Sequence, residues 1–329
     1  MISLLLCQFQ YFYTFLKLNL KYLIKNNTIQ LIKLIFSSNK IQYEGAHYLA
    51  QYLKKCLNLE KLQLDLYGNN IDQNGVSELL EVLNSIQTIK DLEIWLGYNN
   101  IRDDSVFSLG KTLHRFSNQI TKLTIGLSEN EISDEGVNAI GLALRNCISL
   151  TKLGLFLYKC KFGDKGAVSI AMGMKNCTQI TDLTFSLFGN EISHEGAHEV
   201  SISLSNLKNL RNLNFELDNN NIGDQGAISI ATGLTNCSLL ENLTLSVFNN
   251  KITNQGYLRI DQCLQSLANL QILECHLIKD ERLLKSKHIL ESKNIKVIGL
   301  YLWCEQENER IAHKQKALKI LRLVQLKVV

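Results

Sequence analysis

LEKLQLDLYGNNIDQNG, residues 59–75, sets two periodicities end to end. Leu59, Leu62, Leu64 and Leu66 lead into an alternation of apolar and other residues, the pattern of a half-buried strand. Asn69-x-Ile71, a polar turn and Gly75 follow, and behind Gly75 the apolar residues fall at helical spacing. The same succession returns as SNKIQYEG, YNNIRDDS, ENEISDEG, KCKFGDKG, GNEISHEG, NNNIGDQG and NNKITNQG. Its apolar residue stands at Ile41, Ile71, Ile101, Ile132, Phe162, Ile192, Ile222 and Ile252, so every step is 30 residues except one of 31. Each unit therefore reads as strand, turn, helix and return, with LEKLQLDL, ITKLTIGL (120–127) and LENLTLSV (240–247) as strands. Gly136, Val137, Ile140, Leu144 and Cys147 form one helix stripe.

L-x-x-L-x-L followed by N-x-I at this period resembles the leucine-rich repeat, and the helical return resembles its ribonuclease-inhibitor-like subtype. The resemblance covers roughly residues 29–278, with a strand-like remnant, IKVIGLYLW, at 295–303. It implies an α/β leucine-rich-repeat solenoid, a horseshoe with strands on the concave face and helices on the convex face. One departure is an additional L-x dipeptide before the asparagine, as in Leu62, Leu64, Leu66 and Asn69. Two residues preserve the alternation, so the strand is expected to lengthen without changing face.

Each column of the alignment has a physical reason. Inward leucines and the isoleucine after the turn bury a core that no single repeat could close. Asn39, Asn69, Asn99, Asn130, Asn190, Asn220 and Asn250 are expected to satisfy backbone groups where the strand turns away; Cys160 replaces asparagine in one repeat, as the subtype also allows. Asp103, Asp134, Asp164, Asp224 and Asn254 suit a helix N-cap.

These columns absorb the apparent catalytic motifs. HEGAH (194–198) matches the zinc-protease pattern H-E-x-x-H, but His194 stands in the aspartate column, Gly196 in the glycine column, and His198 aligns with Asn138, Val168 and Ile228. SVFSLGKT (105–112) ends like a phosphate-binding loop, yet Ser105 stands where the first glycine belongs, and Gly110 aligns with Ala50, Gly141, Ala171 and Ala231, a small-residue column for close helix packing. Cys56, Cys147, Cys177 and Cys237 share one buried column, and there is no C-x-x-C among the nine cysteines, which suits a reducing, cytoplasmic setting. No metal, cofactor or catalytic residue is expected.

Of the net charge of +4, five lysines in residues 1–43 and six Lys/Arg in 310–329, with no acid in either, leave −7 for the residues between. An acidic repeat body argues against a nucleic-acid partner. The domain reading is an N-terminal cap over 1–28, repeats over 29–303 as one domain, and a C-terminal basic amphipathic helix over 304–329 with apolar residues at Ala317, Ile320, Leu321, Val324 and Val328. The apolar start, MISLLLCQFQYFYTFL, lacks a basic n-region and is short of the ~20 residues a membrane span needs, so no membrane partner is expected.

Function is expected on the strand residues that point away from the core. One outward column holds Asp65, Trp95, Phe156 and Glu216, the next Tyr67, Tyr158, Phe188, Asp218 and Phe248. Tyr67, Trp95, Phe156, Tyr158, Phe188 and Phe248 should form an exposed aromatic ladder beside Asp65, Glu93, Glu216 and Asp218. That is the composition of a protein-binding surface. The expected function is a non-catalytic protein-interaction scaffold, in a cytoskeletal or regulatory complex among others. The alternative is a GTPase activator of the Ran-activator type, a class built on ribonuclease-inhibitor-type repeats, although no residue here matches its catalytic rim position.

Overall fold

The computed structural model describes residues 2–5, 29–278, 295, 297–303 and 325–328. The chain divides into two compact units, Met1–Gln179 and Ile180–Val329, where the unbroken period predicts one domain. In a repeat array each unit contacts only its neighbours, so an even period does not by itself require a single compact body.

In the first unit the described elements are β1 (Ile2–Leu5), β2 (Leu31–Ile35), α1 (Gln42–Leu53), β3 (Lys61–Asp65), α2 (Gln73–Ser85), β4 (Asp91–Trp95), α3 (Asp103–Phe116), β5 (Lys122–Gly126), α4 (Asp134–Leu144), β6 (Lys152–Phe156) and α5 (Asp164–Met174). Strands β1 to β6 pair in parallel in sequence order. β1 lies within the segment expected as a cap, the rest of which is outside the described residues. The second unit holds β7 (Asp182–Ser186), α6 (His194–Ser205), β8 (Asn212–Glu216), α7 (Gly223–Thr235), β9 (Asn242–Ser246), α8 (Asn254–Ser266), β10 (Ile272–Ile278), β11 (Val297–Trp303) and β12 (Gln325–Val328), again parallel and in order. β12 corrects the end of the expected C-terminal helix: Gln325–Val328 is a strand on β11, where it covers an edge that would otherwise offer unpaired backbone. The rest of 304–329 lies outside the described residues.

The fold is an α/β leucine-rich-repeat solenoid, and its core follows the columns of the sequence. Leu62 faces Ile32 and Leu92 across the ladders, and Leu123 faces Leu92 and Leu153. Leu64, Ile94, Ile125 and Leu155 are fully buried, as are Val137, Ile140 and Leu144 on α4. The helices approach closely at the small-residue column: a Cβ on Gly141 would stand 2.2 Å from Ser169 O, and one on Gly173 would stand 2.2 Å from Gly141 O. The additional L-x dipeptide lengthens the ladder less regularly than expected. The strand proper stops at Asp65, but Leu66 N–Trp95 O (2.8 Å) and Gly68 N–Gly97 O (2.9 Å) continue the pairing until Gly68 turns the chain at φ +66°.

The asparagine column ties one repeat to the next. Asn99 Oδ1 accepts from Asn69 N and Ile71 N, both at 3.0 Å, while its Nδ2 donates to Leu66 O (2.8 Å), Leu96 O (3.1 Å) and Gly97 O (3.1 Å). Asn69 and Asn130 repeat the arrangement in the first unit, Asn220 and Asn250 in the second. Cys160 keeps part of it, donating its thiol to Leu127 O at 3.6 Å.

The aspartates act differently from the expectation. The N-cap of α4 is Ser133, one residue before Asp134, and Asp134 caps the following helix instead, accepting from Gly163 N (2.8 Å) and Gly166 N (2.7 Å). Asp103 likewise accepts from Ser133 N and Ser133 Oγ, and Asp224 from Thr253 N, Thr253 Oγ and Gly256 N. Each of these carboxylates stands in the first turn of its own helix, and the neighbouring helix start, about 30 residues on, supplies the unpaired N–H groups.

Asn99→Ala removes partners from two N–H and three C=O groups and should lower stability by about 2–4 kcal/mol in urea unfolding, whereas Asn99→Cys, the change Cys160 already embodies, should cost less. Equal losses for the two variants would mean that the amide bonds do not set the cost.

Candidate functional site

The outward face of the strands begins with a consequence of the alternation. Residues flanking each buried leucine must project from the sheet, and in the first unit this brings Asp65, Tyr67, Glu93, Trp95, Phe156 and Tyr158 onto one surface. The aromatic residues are half-buried, not fully exposed as expected. Glycines explain the difference. A Cβ on Gly126 would stand 2.2 Å from Trp95 Cε3, and one on Gly97 would stand 2.8 Å from Tyr67 Cδ2. Each ring thus lies over a glycine of the next repeat. Trp95 reaches far enough to contact Phe156, with ring centroids 4.5 Å apart at 50°.

The acidic residues hold the rings in place. Trp95 Nε1 donates to Glu93 Oε1 at 2.7 Å, and Gln63 Nε2 donates to the same oxygen at 2.9 Å. Tyr67 Oη donates to Glu129 Oε1 at 3.2 Å, and Asp65 Oδ1 accepts from Tyr67 N at 3.0 Å. Burial, with Tyr158 and Glu129 close by, pushes the Tyr67 phenol up to about 12, so it stays a donor at neutral pH. Two residues of this surface were not singled out in the sequence: Glu129, and Tyr98, which is 59% exposed and stacks on Tyr67 at 6.2 Å. Both stand at the left-handed turn position, Tyr98 at φ 54° and Glu129 at φ 57°, in register with Gly68 at φ 66°. That column is the signal that would have found them.

In the second unit Phe188 and Phe248 are half-buried on the outward face. Glu216 is engaged within the sheet, accepting from Ser186 Oγ (2.6 Å) and Asn214 Nδ2 (3.2 Å). Asp218 was expected on the exposed face but is only 5% exposed, accepting from Ser246 Oγ at 2.6 Å and Phe248 N at 2.9 Å. Burial outweighs those two bonds and lifts its carboxyl from 3.8 to about 7, with the Glu216 charge adding to the rise.

The apparent catalytic motifs sit where their columns put them. Ser193 caps α6, His194 is its first residue, and His198 Nδ1 faces Ser229 Oγ at 3.2 Å. Among the described residues no group of three or more His, Cys, Asp or Glu is disposed to hold a metal ion, and no helix is long and apolar enough to cross a membrane. Cys56, Cys147, Cys177 and Cys237 are buried and unpaired, and burial raises their thiols to about 11 or 12.

Asp218 makes the second unit sensitive to pH. Between 3.8 and about 7 the folded carboxyl holds a proton that the unfolded one releases, so stability is full below this range and falls as pH rises through it. Relative to Asp218→Asn, the native chain should lose on the order of 2–4 kcal/mol between pH 4 and 7.5 in denaturant titrations. Parallel stability profiles for the two proteins would show that Asp218 ionises normally.

The family described as Leucine Rich repeat matches residues 117–141 and 209–231, which span β5 and the start of α4, and β8 with most of α7. Comparison with curated proteins finds no match. Among solved structures, an internalin (inlF) from Listeria monocytogenes is similar at 17% identity and TM-score 0.40, over 97% of this chain and 94% of that one. The Rad7 and Elc1 complex of yeast is similar at 14% identity and TM-score 0.37, over 98% and 87%. Two segments of the chain thus match the leucine-rich-repeat family, and strand, asparagine turn and helix return about every 30 residues on either side of them.

Proposed function

We propose that the chain is a non-catalytic scaffold that binds a protein partner on the outward face of its strands. Tyr67, Trp95, Phe156 and Tyr158 would be the contact residues of the first unit, Phe188 and Phe248 those of the second. The observation that carries this reading is the Trp95–Phe156 contact at 4.5 Å over Gly126, with the indole fixed by Glu93. Rings already held in one rotamer and still half-exposed lose little conformational entropy when covered, and preorganised aromatic anchors are what binding surfaces concentrate their energy in. Glu93 acts through Trp95, as a positioning residue. Asp65, Glu216 and Asp218 support the surface in the same way, because their carboxylates are engaged inside the chain. The 30-residue period with a helix of 11–14 residues in each return supports the ribonuclease-inhibitor-like subtype, and six buried cysteines outside any disulfide among the described residues support a reducing, cytoplasmic setting. No observation favours the GTPase-activator reading.

Replacing Trp95, Phe156 and Tyr158 by alanine should weaken capture of the native partner at least about tenfold in a pull-down from native cytosol read by mass spectrometry, with folding checked by circular dichroism. Recovery of the same partners in the same amounts by the intact chain and the folded variant would overturn the proposal.

A further inference from the structure

The helix side of the first unit carries a second surface that the scaffold reading does not use. Neighbouring helices leave a groove between them, and the grooves differ. Between α6 and α7 it measures about 150 Å³, and Ser201, Ser205, Ser229 and Asn236 line it together with Ile202 and Ile228. Between α7 and α8 it measures about 280 Å³, lined by Thr232, Thr235, Arg259 and Gln262 among others. Between α3 and α4 it opens to about 530 Å³. Its floor is Gly110, Ala139 and Ala143, and its apolar sides are Phe107 and Leu142, which are 40% and 48% exposed. Gly110 seats α3 directly on Ala139 O, so no side chain fills the space above.

The α3 rim of this groove is cationic. Lys111, His114 and Arg115 line it, all exposed. Among the described residues neither the Lys111 nor the Arg115 side chain has an ion pair or hydrogen-bond partner, and His114 Nδ1 meets the amide of Asn146 at 3.3 Å. Some other cations of the unit are matched across repeats, Lys90 with Glu60, and Lys161 and Arg102 with Glu131. An apolar floor beside unmatched cations one helical turn apart is complementary to a ligand that presents apolar residues and carboxylates at the same spacing.

We propose that the α3/α4 groove is a docking site for an acidic amphipathic helix of a protein partner. Its apolar stripe would lie between Phe107 and Leu142, and its carboxylates, one turn apart, would meet Lys111 and Arg115. The apolar floor favours such a helix over nucleic acid, whose backbone would use the cations and leave Phe107 and Leu142 uncovered.

The test uses the full chain and fluorescein-labelled synthetic peptides read by anisotropy. One peptide carries leucines at helical a/d spacing with glutamates elsewhere; a second has lysines for the glutamates, a third glutamines for the leucines, and single-stranded oligothymidine stands for nucleic acid. The leucine–glutamate peptide should bind best. Lys111→Glu with Arg115→Glu should weaken it at least about tenfold and improve the lysine peptide, and Leu142→Gln should weaken it also. The Trp95, Phe156 and Tyr158 alanine variant should bind it unchanged, which separates this site from the strand face. Failure of the leucine–glutamate peptide to bind, affinity indifferent to the Lys111, Arg115 and Leu142 changes, equal binding of the glutamine peptide, or preference for oligothymidine would each overturn the proposal.

Discussion

A side-chain amide at the corner of every repeat but that of Cys160 holds this architecture to its period. Asn99 joins two N–H groups of the preceding turn to three carbonyls, two of its own repeat and one of the repeat before. An amide offers an acceptor with two lone pairs and two donors, which is nearly what a buried strand-to-turn corner leaves unpaired. Because the two accepted bonds come from residues 28 and 30 positions earlier, the corner closes only if successive repeats are in register. The ladders carry that register through, so Leu62, Leu92, Leu123 and Leu153 fall into line and the core becomes continuous.

The same one-repeat offset governs the helices. Asp103, Asp134 and Asp224 complete the N-terminus of the next helix, not their own, and Gly141 and Gly173 let adjacent backbones touch. Once the inner side is fixed in this way, the outward positions are free to vary, and they vary in a coordinated manner. Trp95 over Gly126 and Tyr67 over Gly97 pair a large ring with an absent side chain on the neighbouring strand. The surface is thereby held by contacts within the chain, and the carboxylates beside it serve the rings.

Periodicity made the fold legible. The isoleucine and the asparagine at seven of the eight corners, with Phe162 and Cys160 at the other, and the alternating leucines each stand for one repeated structural role. The outward columns were legible as columns, but not in their depth. Nothing in a single column shows that Trp95 will lie down over Gly126, or that Asp218 will be covered by Ser246 and Phe248; both depend on the residue 28 to 31 positions on. The cap role of the aspartates was misassigned for the same reason, since the alignment compares equivalent residues and does not show which repeat each one serves. The left-handed column went unread because only Gly68 and Gly189 of its members are glycine, while Ser38, Tyr98, Glu129, Lys159, Asn219 and Asn249 carry side chains there.

The most direct test of the asparagine ladder is native-state hydrogen exchange, read by NMR, at the amides of Ile41, Ile71 and Ile101. All three lie in irregular turns, beyond the strands, and donate to the amide oxygen of the next asparagine in the column. Protection as strong as that of the strand amides in the same unit is the predicted result. Exchange as fast as that of the exposed neighbours Asn70 and Asn100 would contradict the account, because the corners would then open without the ladder that is held to define them.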